Sequence, residues 1–293
     1  MPKGWIIFSL TRPIQLVIAL MEYGLGLGLA RYLGATIYPE PQYFGGIVVI
    51  LILAASNLLV EYFRPFNEPI VLGETRKERE DLQQIILMIS ITFLLVSAIL
   101  VFLLQRGGYF QAETTFLFTL LVLMAIANAV PPTRLMNRGL GELSKSIILA
   151  AITPSISFFL QYGTFNRSLT IFTFPSFMLA LAYFLALNFP AYADDLKYER
   201  RSFLMSITWQ RAVHLHNLLL VAAYLFFAAT PFLGIPFGLV WPSLLTLPLA
   251  FYQIFTLRNL ADGARPVWSV FVANATAIYA LTIYLVALTF WLR

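Results

Sequence analysis

The 293-residue chain contains no cysteine, only two histidines and few charged side chains. Without cysteine it can form neither a disulfide nor a thiolate metal site. His214 and His216 form a His-x-His pair, but the sequence offers no third Cys or His to complete a zinc-type ligand set. We therefore interpret the two histidines as side chains at a membrane interface.

The low charge content is the most informative shortage. Charged residues make up 11 % of the chain and hydrophobic residues 60 %, with a mean hydropathy of +0.81. A water-soluble domain carries roughly a quarter charged residues, so this composition predicts a chain that folds in lipid. Period-2 alternation is also lacking, which argues against a membrane barrel. Helices are then the structures that can satisfy the hydrogen bonds of the backbone N–H and C=O groups in hydrocarbon.

Nine stretches are long and apolar enough for a helix of roughly 20 residues to cross the bilayer. They lie at about 14–34, 44–63, 85–105, 115–131, 146–163, 170–190, 213–232, 236–257 and 268–291. We therefore predict an all-α integral membrane protein with a single domain over residues 1–293.

The basic residues predict the orientation of the chain. Fifteen of the 19 Lys and Arg residues fall in the N-terminal segment and in the loops after spans two, four, six and eight. Basic residues mark the cytoplasmic side, so we expect a multi-pass protein of the cell membrane with its N-terminus cytoplasmic and its C-terminus outside. Topology thus explains the net charge of +5, and no nucleic-acid partner is expected.

Acidic residues share this face, although topology does not require them there. Eleven of the 14 acids fall on it, mostly within 61–81 and 194–199. We interpret 74–81 (ETRKERED) as a solvated loop, whereas the acids at 61–68 and 194–199 abut apolar helix ends. Carboxylates hold magnesium, and Arg and Lys neutralise phosphate. The combination predicts a site for an apolar diphosphate, with a prenyl chain in the membrane and its head at the surface.

Five segments carry a further signal: TRPIQL (11–16), SNLLVEYFR (56–64), RGLGEL (138–143), FFLQYG (158–163) and RRSFLMSITWQRAVHLHNLLL (200–220). They resemble the UbiA-type intramembrane prenyltransferases, most closely the branch that prenylates 1,4-dihydroxy-2-naphthoate in menaquinone biosynthesis. The resemblance covers nearly the whole chain. It implies nine transmembrane helices around a central cavity and a magnesium-assisted transfer of an isoprenyl group from a prenyl diphosphate to an aromatic acceptor.

The first acidic motif of that family, Asn-Asp-x-x-Asp-x-x-x-Asp, is degenerate here. It falls on Val60, Glu61, Arg64 and Glu68. The first and last acids are present as Glu, the Asn is lost, and the middle acid is replaced by an arginine. An arginine at position 64 departs from the family pattern. It can contact the diphosphate directly and replace one metal ion by a fixed cation, since both stabilise the oxygens of the leaving group; loss of activity is the alternative.

The second motif, Asn-x-x-Asp-x-x-x-Asp, is also thinned. It falls on Asn188, Ala191 and Asp195, so its first acid is an alanine, with Asp194 as a neighbouring substitute. An alternative register pairs Asp195 with Glu199 but needs a deletion before the basic pair that follows. We prefer the register without a gap.

The resemblance implies a role for each matching residue. Glu61 and Asp195 are the expected catalytic residues, and the expected metal ligands are Glu61, Glu68, Asp194 and Asp195. The expected substrate contacts are Arg64, Lys77, Glu142, Tyr162, Asn188, Arg200 and Arg201.

Two other functions stay open from the sequence. The degenerate motifs also suit an inactive family member that binds an isoprenoid lipid or a partner enzyme. A small-molecule transporter is a third possibility, although the acids gather at one face, whereas coupling ions of transporters bind near the midplane.

Overall fold

The computed structural model of the protein describes residues 3–293, and this part of the chain folds into helices. In chain order they are α1 (Lys3–Leu10), α2 (Pro13–Tyr32), α3 (Pro39–Tyr62), α4 (Arg76–Arg106), α5 (Ala112–Ala129), α6 (Gly141–Ile147), α7 (Thr153–Tyr162), α8 (Arg167–Lys197), α9 (Phe203–Ile207), α10 (Trp209–Ala229), α11 (Phe237–Val240), α12 (Leu247–Ala261) and α13 (Trp268–Leu292). A π-helical segment, Ile148–Ile152, joins α6 to α7.

Nine segments within residues 3–293 are long and apolar enough to cross a membrane, which confirms the predicted all-α architecture. Spans one to four are α2 to α5. The fifth combines α6, the π-helical segment and α7, and the sixth is α8. The last three are Trp209–Leu233, Phe237–Ala261 and α13.

Two helix boundaries differ most from the sequence-based expectation, and both bear on the site. The run 74–81 was expected to be a loop, which is wrong, because α4 begins within it. Thr75 and Glu78 form a capping box there, with the Thr75 N–H donating to Glu78 Oε2 at 2.8 Å. The sixth span, expected to end near residue 190, continues as α8 to Lys197, so that Asp195 belongs to its last turn.

Helix α2 packs against α7 and α13, α3 against α4, and α8 against α10. Two residues of the small-residue stretch 24–28 permit the close approach of α2. A methyl group on Gly26 would overlap the carbonyl oxygen of Pro154 in α7, and one on Gly28 would crowd Trp291 in α13. Such close packing drives helix association in lipid.

A buried carboxyl group joins three of these helices in the middle of the bundle. Glu22 of α2 accepts hydrogen bonds at Oε1 from Ser176 of α8, at 2.5 Å, and from the Tyr279 hydroxyl of α13, at 2.6 Å. All three side chains are fully buried. Hydrogen bonds of this kind hold helices together where no water competes.

Candidate active site

The segment between α3 and α4 is held in place by Arg79, which is only 4 % exposed. Its guanidinium donates to four backbone carbonyls, those of Arg64 (3.0 Å), Pro65 (2.9 Å), Phe66 (3.1 Å) and Glu68 (2.9 Å). The planar fork of arginine suits such multiple contacts, which a lysine cannot reproduce. Arg79 therefore fixes the segment that carries two of the predicted site residues.

A chain of alternating charges begins at Glu61, near the end of α3. Glu61 is buried, and its two carboxylate oxygens accept from different arginines: Oε1 from Arg12 Nη2 at 3.3 Å, and Oε2 from Arg64 Nη2. The other terminal nitrogen of Arg64 lies 2.7 Å from Glu68 Oε1. Arg64 thus bridges the two acids that flank it in the degenerate first motif.

The chain of charges then continues from the segment after α3 to the segment after α8. Arg200 donates from Nε to Glu68 Oε2 at 2.6 Å and from Nη2 to Glu68 Oε1, and its Nη1 lies 3.5 Å from Asp195 Oδ1. Glu68 and Arg200 are 132 positions apart in the sequence. Their contact therefore joins the two degenerate motifs, and the complete chain of charges is Arg12, Glu61, Arg64, Glu68, Arg200 and Asp195.

This chain of charges lines a cavity of about 220 Å³. Glu142, at the start of α6, contributes a buried carboxylate that accepts from Asn188 Nδ2 at 2.6 Å and from the Phe203 N–H at 3.2 Å. Both Glu142 and Asn188 line the cavity. The predicted site residues that the fold gathers around it are Glu61, Arg64, Glu68, Glu142, Asn188, Asp195 and Arg200.

The other four predicted site residues lie elsewhere. Lys77 and Asp194 are exposed at the surface of α4 and α8. Arg201 lines a neighbouring cavity of about 530 Å³, which shares Asp195 and Arg200 with the first one. Tyr162 ends α7 at the opposite end of the bundle, where its ring packs against Phe158 with centroids 5.0 Å apart. Lys77, Asp194 and Arg201 would have to reorient to reach the cavity. Tyr162 lies one full span away from Glu142, so no movement of its side chain brings it to the charged cavity.

Arg12 and Arg134 also line the cavity. From the sequence, these two arginines were interpreted only as signals of membrane topology. Both have left-handed backbone conformations, with φ of 58° and 37°, which cost energy for residues other than glycine. Arg12 directly precedes Pro13, the first residue of α2. The sequence did contain a signal for the position of Arg12. A proline that starts a helix marks the preceding residue as one held outside the helix.

Arg134 and Arg200 differ in how their charges are balanced. Partial burial disfavours the charged form of Arg200, but the hydrogen bond and charge of Glu68 outweigh it and raise the pKa of Arg200 above its usual value. Burial lowers the pKa of Arg134, against a weaker opposing effect of Glu68. Within residues 3–293, Arg134 has no carboxylate at ion-pair distance, so it is the cavity cation most available to an anionic ligand.

No protein-family model matches the chain, and no curated protein matches its sequence. Solved structures do match over almost its full length. A UbiA homologue from Archaeoglobus fulgidus bound to GPP and Mg²⁺ has a TM-score of 0.65 at 14 % identity, covering 96 % of this chain and 99 % of that one. The chain has the UbiA fold.

Two further UbiA-fold structures give the same result. The Archaeoglobus fulgidus homologue bound to DMAPP and Mg²⁺ has a TM-score of 0.64 at 14 % identity, covering 96 % of this chain and 98 % of that one. A structure of digeranylgeranylglyceryl phosphate synthase has a TM-score of 0.55, again at 14 % identity, covering 100 % and 98 % of the two chains. At this identity the likeness shows the fold alone.

The predicted metal ligands can be compared with what a magnesium ion requires. Carboxylate oxygens are suitable donors, but Glu61, Glu68 and Asp195 each contact an arginine. Within residues 3–293, no three Asp, Glu or His side chains come close enough to hold a metal ion together. In this arrangement the carboxylates fit guanidinium groups rather than a metal cluster.

Proposed function

We propose that the protein is an intramembrane prenyltransferase that moves an isoprenyl group from a prenyl diphosphate to an aromatic acceptor. One observation carries the proposal: the Glu68–Arg200 contact closes the ends of α3 and α8 around one polar cavity at the end of an apolar bundle. Such a cavity suits a substrate with a polar head and an apolar tail. Proteins with the same fold were solved with GPP or DMAPP bound.

The diphosphate head would bind to the guanidinium groups that line the cavity. Arginine holds phosphate oxygens with paired, charge-assisted hydrogen bonds. Arg134 has no carboxylate partner among residues 3–293. Arg64 and Arg200 are paired with carboxylates, but they line the cavity and remain 20 % and 33 % exposed, so part of each guanidinium is accessible from it. Glu61, Glu68 and Asp195 then act by fixing the positions of the arginines.

The transfer itself needs negative charge to build up on the leaving group. The bond between the allylic carbon and the diphosphate oxygen breaks, and both of its electrons leave with the diphosphate. Fixed cations aimed at those oxygens stabilise that charge as it develops. The acceptor ring then forms a carbon–carbon bond to the allylic cation and loses its ring proton, which the released diphosphate is basic enough to take.

Magnesium would supply further charge neutralisation to a bound diphosphate. The carboxylates that could hold it are engaged by arginines, so the arginines alone carry the steps described here. The charged cavity would face the cytoplasm, where the positive-inside rule places the basic loops. The naphthoate acceptor and a place in menaquinone biosynthesis rest on the sequence resemblance described above.

Transfer can be measured with membranes that contain the protein, labelled geranylgeranyl diphosphate and 1,4-dihydroxy-2-naphthoate, with either magnesium or EDTA. We expect a labelled, lipid-soluble product that the Asp195→Ala variant does not form. Asp262→Ala, at the exposed end of α12, is the matched control and should be fully active. Product formation at the wild-type rate in Asp195→Ala would contradict a role for Asp195 in this site.

A non-catalytic lipid-binding protein is the second candidate, because the alternating charges already neutralise one another without a ligand. It would bind labelled prenyl diphosphate without forming product with any acceptor. The transporter hypothesis gains little from the structure, since the charge chain lies at one end of the bundle and Glu22, at its middle, is enclosed by Ser176 and Tyr279.

A further inference from the structure

A second, smaller cavity lies next to the site and one helical turn further into the bundle. Where the site cavity is lined by Arg12, Glu61, Glu142 and Asn188, this one is lined by Gln15, Asn57, Lys145 and Phe184 of the same four helical segments. Each pair is three or four residues apart, which is one turn, or about 5.4 Å, along a helix. The small cavity therefore lies directly beneath the proposed diphosphate site.

Two polar side chains of this cavity lack the partners that buried groups normally have. Lys145 is 8 % exposed and Asn128 is 1 % exposed. Neither the Lys145 amine nor either polar atom of the Asn128 side chain has a hydrogen-bond partner within residues 3–293. Buried polar groups without partners are rare in folded proteins, and each one calls for a ligand, a water molecule or a special role.

The charges around Lys145 leave room for an anion. Glu142 and Glu61 attract it and Arg12 repels it, but no carboxylate lies within ion-pair distance of its amine among residues 3–293. A buried ammonium group without a close counter-ion is costly. An oxyanion would supply the missing charge to Lys145 and accept a hydrogen bond from the Asn128 amide.

We propose that Lys145 and Asn128 bind an oxyanion of the aromatic acceptor. This inference rests on the proposed function, because a prenyl diphosphate held one turn above would direct its first carbon toward this cavity. The free space is about 20 Å³, enough for one water-sized group, so an acceptor oxygen enters and the ring stays above it. The acceptor class is therefore an aromatic compound with an ionised carboxyl or acidic hydroxyl group.

A bound water molecule is the competing occupant, and binding measurements on the purified protein separate the two. The probes are 1-hydroxy-2-naphthoate, 4-hydroxybenzoate and the uncharged 1-methoxynaphthalene, with the non-cleavable geranyl S-thiolodiphosphate as an independent probe of the upper site. We expect Lys145→Met to weaken binding of at least one aromatic acid tenfold or more. The affinity of the Lys145→Met variant for the thiolodiphosphate should stay within about threefold of that of the wild type. Lys197→Met, an exposed lysine of α8, is the matched control.

A second substitution guards against loss of folding. Asn128→Asp places a carboxylate beside Lys145, so it should keep or raise the melting temperature while abolishing binding of the aromatic acid. If both variants bind the acids as wild type does, or if wild type binds neither acid, the inference is wrong and the cavity holds water only. If binding depends on Lys145 while the thiolodiphosphate fails to bind wild type, the anion site stands and the proposed transferase function falls.

Discussion

Replacing Glu68 by glutamine separates two explanations of the acids in the cavity. Glu68 is 3 % exposed, and its carboxylate forms ion pairs with both Arg64 and Arg200. Glutamine keeps the shape and removes the charge. Breaking a fully buried ion pair costs about 3–5 kcal/mol and a surface pair up to about 1 kcal/mol. Because the two arginines are 20 % and 33 % exposed, we expect an intermediate loss of about 2–3 kcal/mol in the free energy of unfolding.

The same substitution should strengthen diphosphate binding. In the wild-type protein a diphosphate competes with Glu68 for Arg64 and Arg200, and in Glu68→Gln it does not. Releasing each partly exposed guanidinium is worth about 0.5–1 kcal/mol. The two together are worth about 1–2 kcal/mol, so the affinity should rise roughly five- to thirtyfold. The gain should appear in EDTA as well as with magnesium.

Calorimetric titration of the purified protein with geranyl S-thiolodiphosphate, with and without magnesium, measures this effect. Glu80→Gln is the control, since Glu80 pairs with Arg76 at an exposed position of α4 and should change neither stability nor binding. A Glu68→Gln protein that binds more weakly than wild type, and only in magnesium, would refute the reasoning. Glu68 would then act as the metal ligand that the sequence resemblance implies.

Three further substitutions test other contacts of the site. Arg79→Lys keeps the charge but cannot reach four carbonyls, so the free energy of unfolding should fall by about 2–4 kcal/mol; unchanged chemical denaturation in detergent would contradict this. Arg134→Gln should lower the affinity for the thiolodiphosphate about tenfold, for one charge-assisted contact, with little change in melting temperature; a large fall in melting temperature would show a structural role instead. Asn188→Leu removes the 2.6 Å donor to buried Glu142 and should cost about 1–3 kcal/mol of stability; a melting curve like that of wild type would show that Glu142 needs no such donor.

The spans were predictable because hydropathy over roughly 20 residues depends only on local composition. The start of α4 was not, because the charged run 74–81 carries both the polarity of a loop and the capping box of Thr75 and Glu78. Distinguishing the two needs the backbone position of Thr75, which charge content does not report.

The site was predictable by position but not by partner. The sequence placed Glu61 and Asp195 at the ends of apolar helices, where α3 and α8 have them, whereas Glu68 lies in the segment between α3 and α4. The sequence did not reveal that Arg200 would pair with Glu68 across 132 positions, since such a contact depends on how the fold brings together the segments that follow α3 and α8. The same limit hid Arg79, whose four hydrogen bonds are to backbone atoms of a segment 11 to 15 residues earlier.

The arginine at position 64 changes meaning once its contacts are known. In the sequence it interrupts an acidic motif, which is compatible either with a fixed cation in place of a metal ion or with a loss of function. In the structure it joins Glu61 to Glu68, and the acids on either side hold it at the wall of the cavity. Buried acids and bases that neutralise one another can remain in a bundle where single charges would be expelled. The alternating order therefore accounts for acids gathered on a face where topology requires only basic residues, and it gives the carboxylates a role that needs no bound metal: they keep the guanidinium groups in place until a diphosphate competes for them.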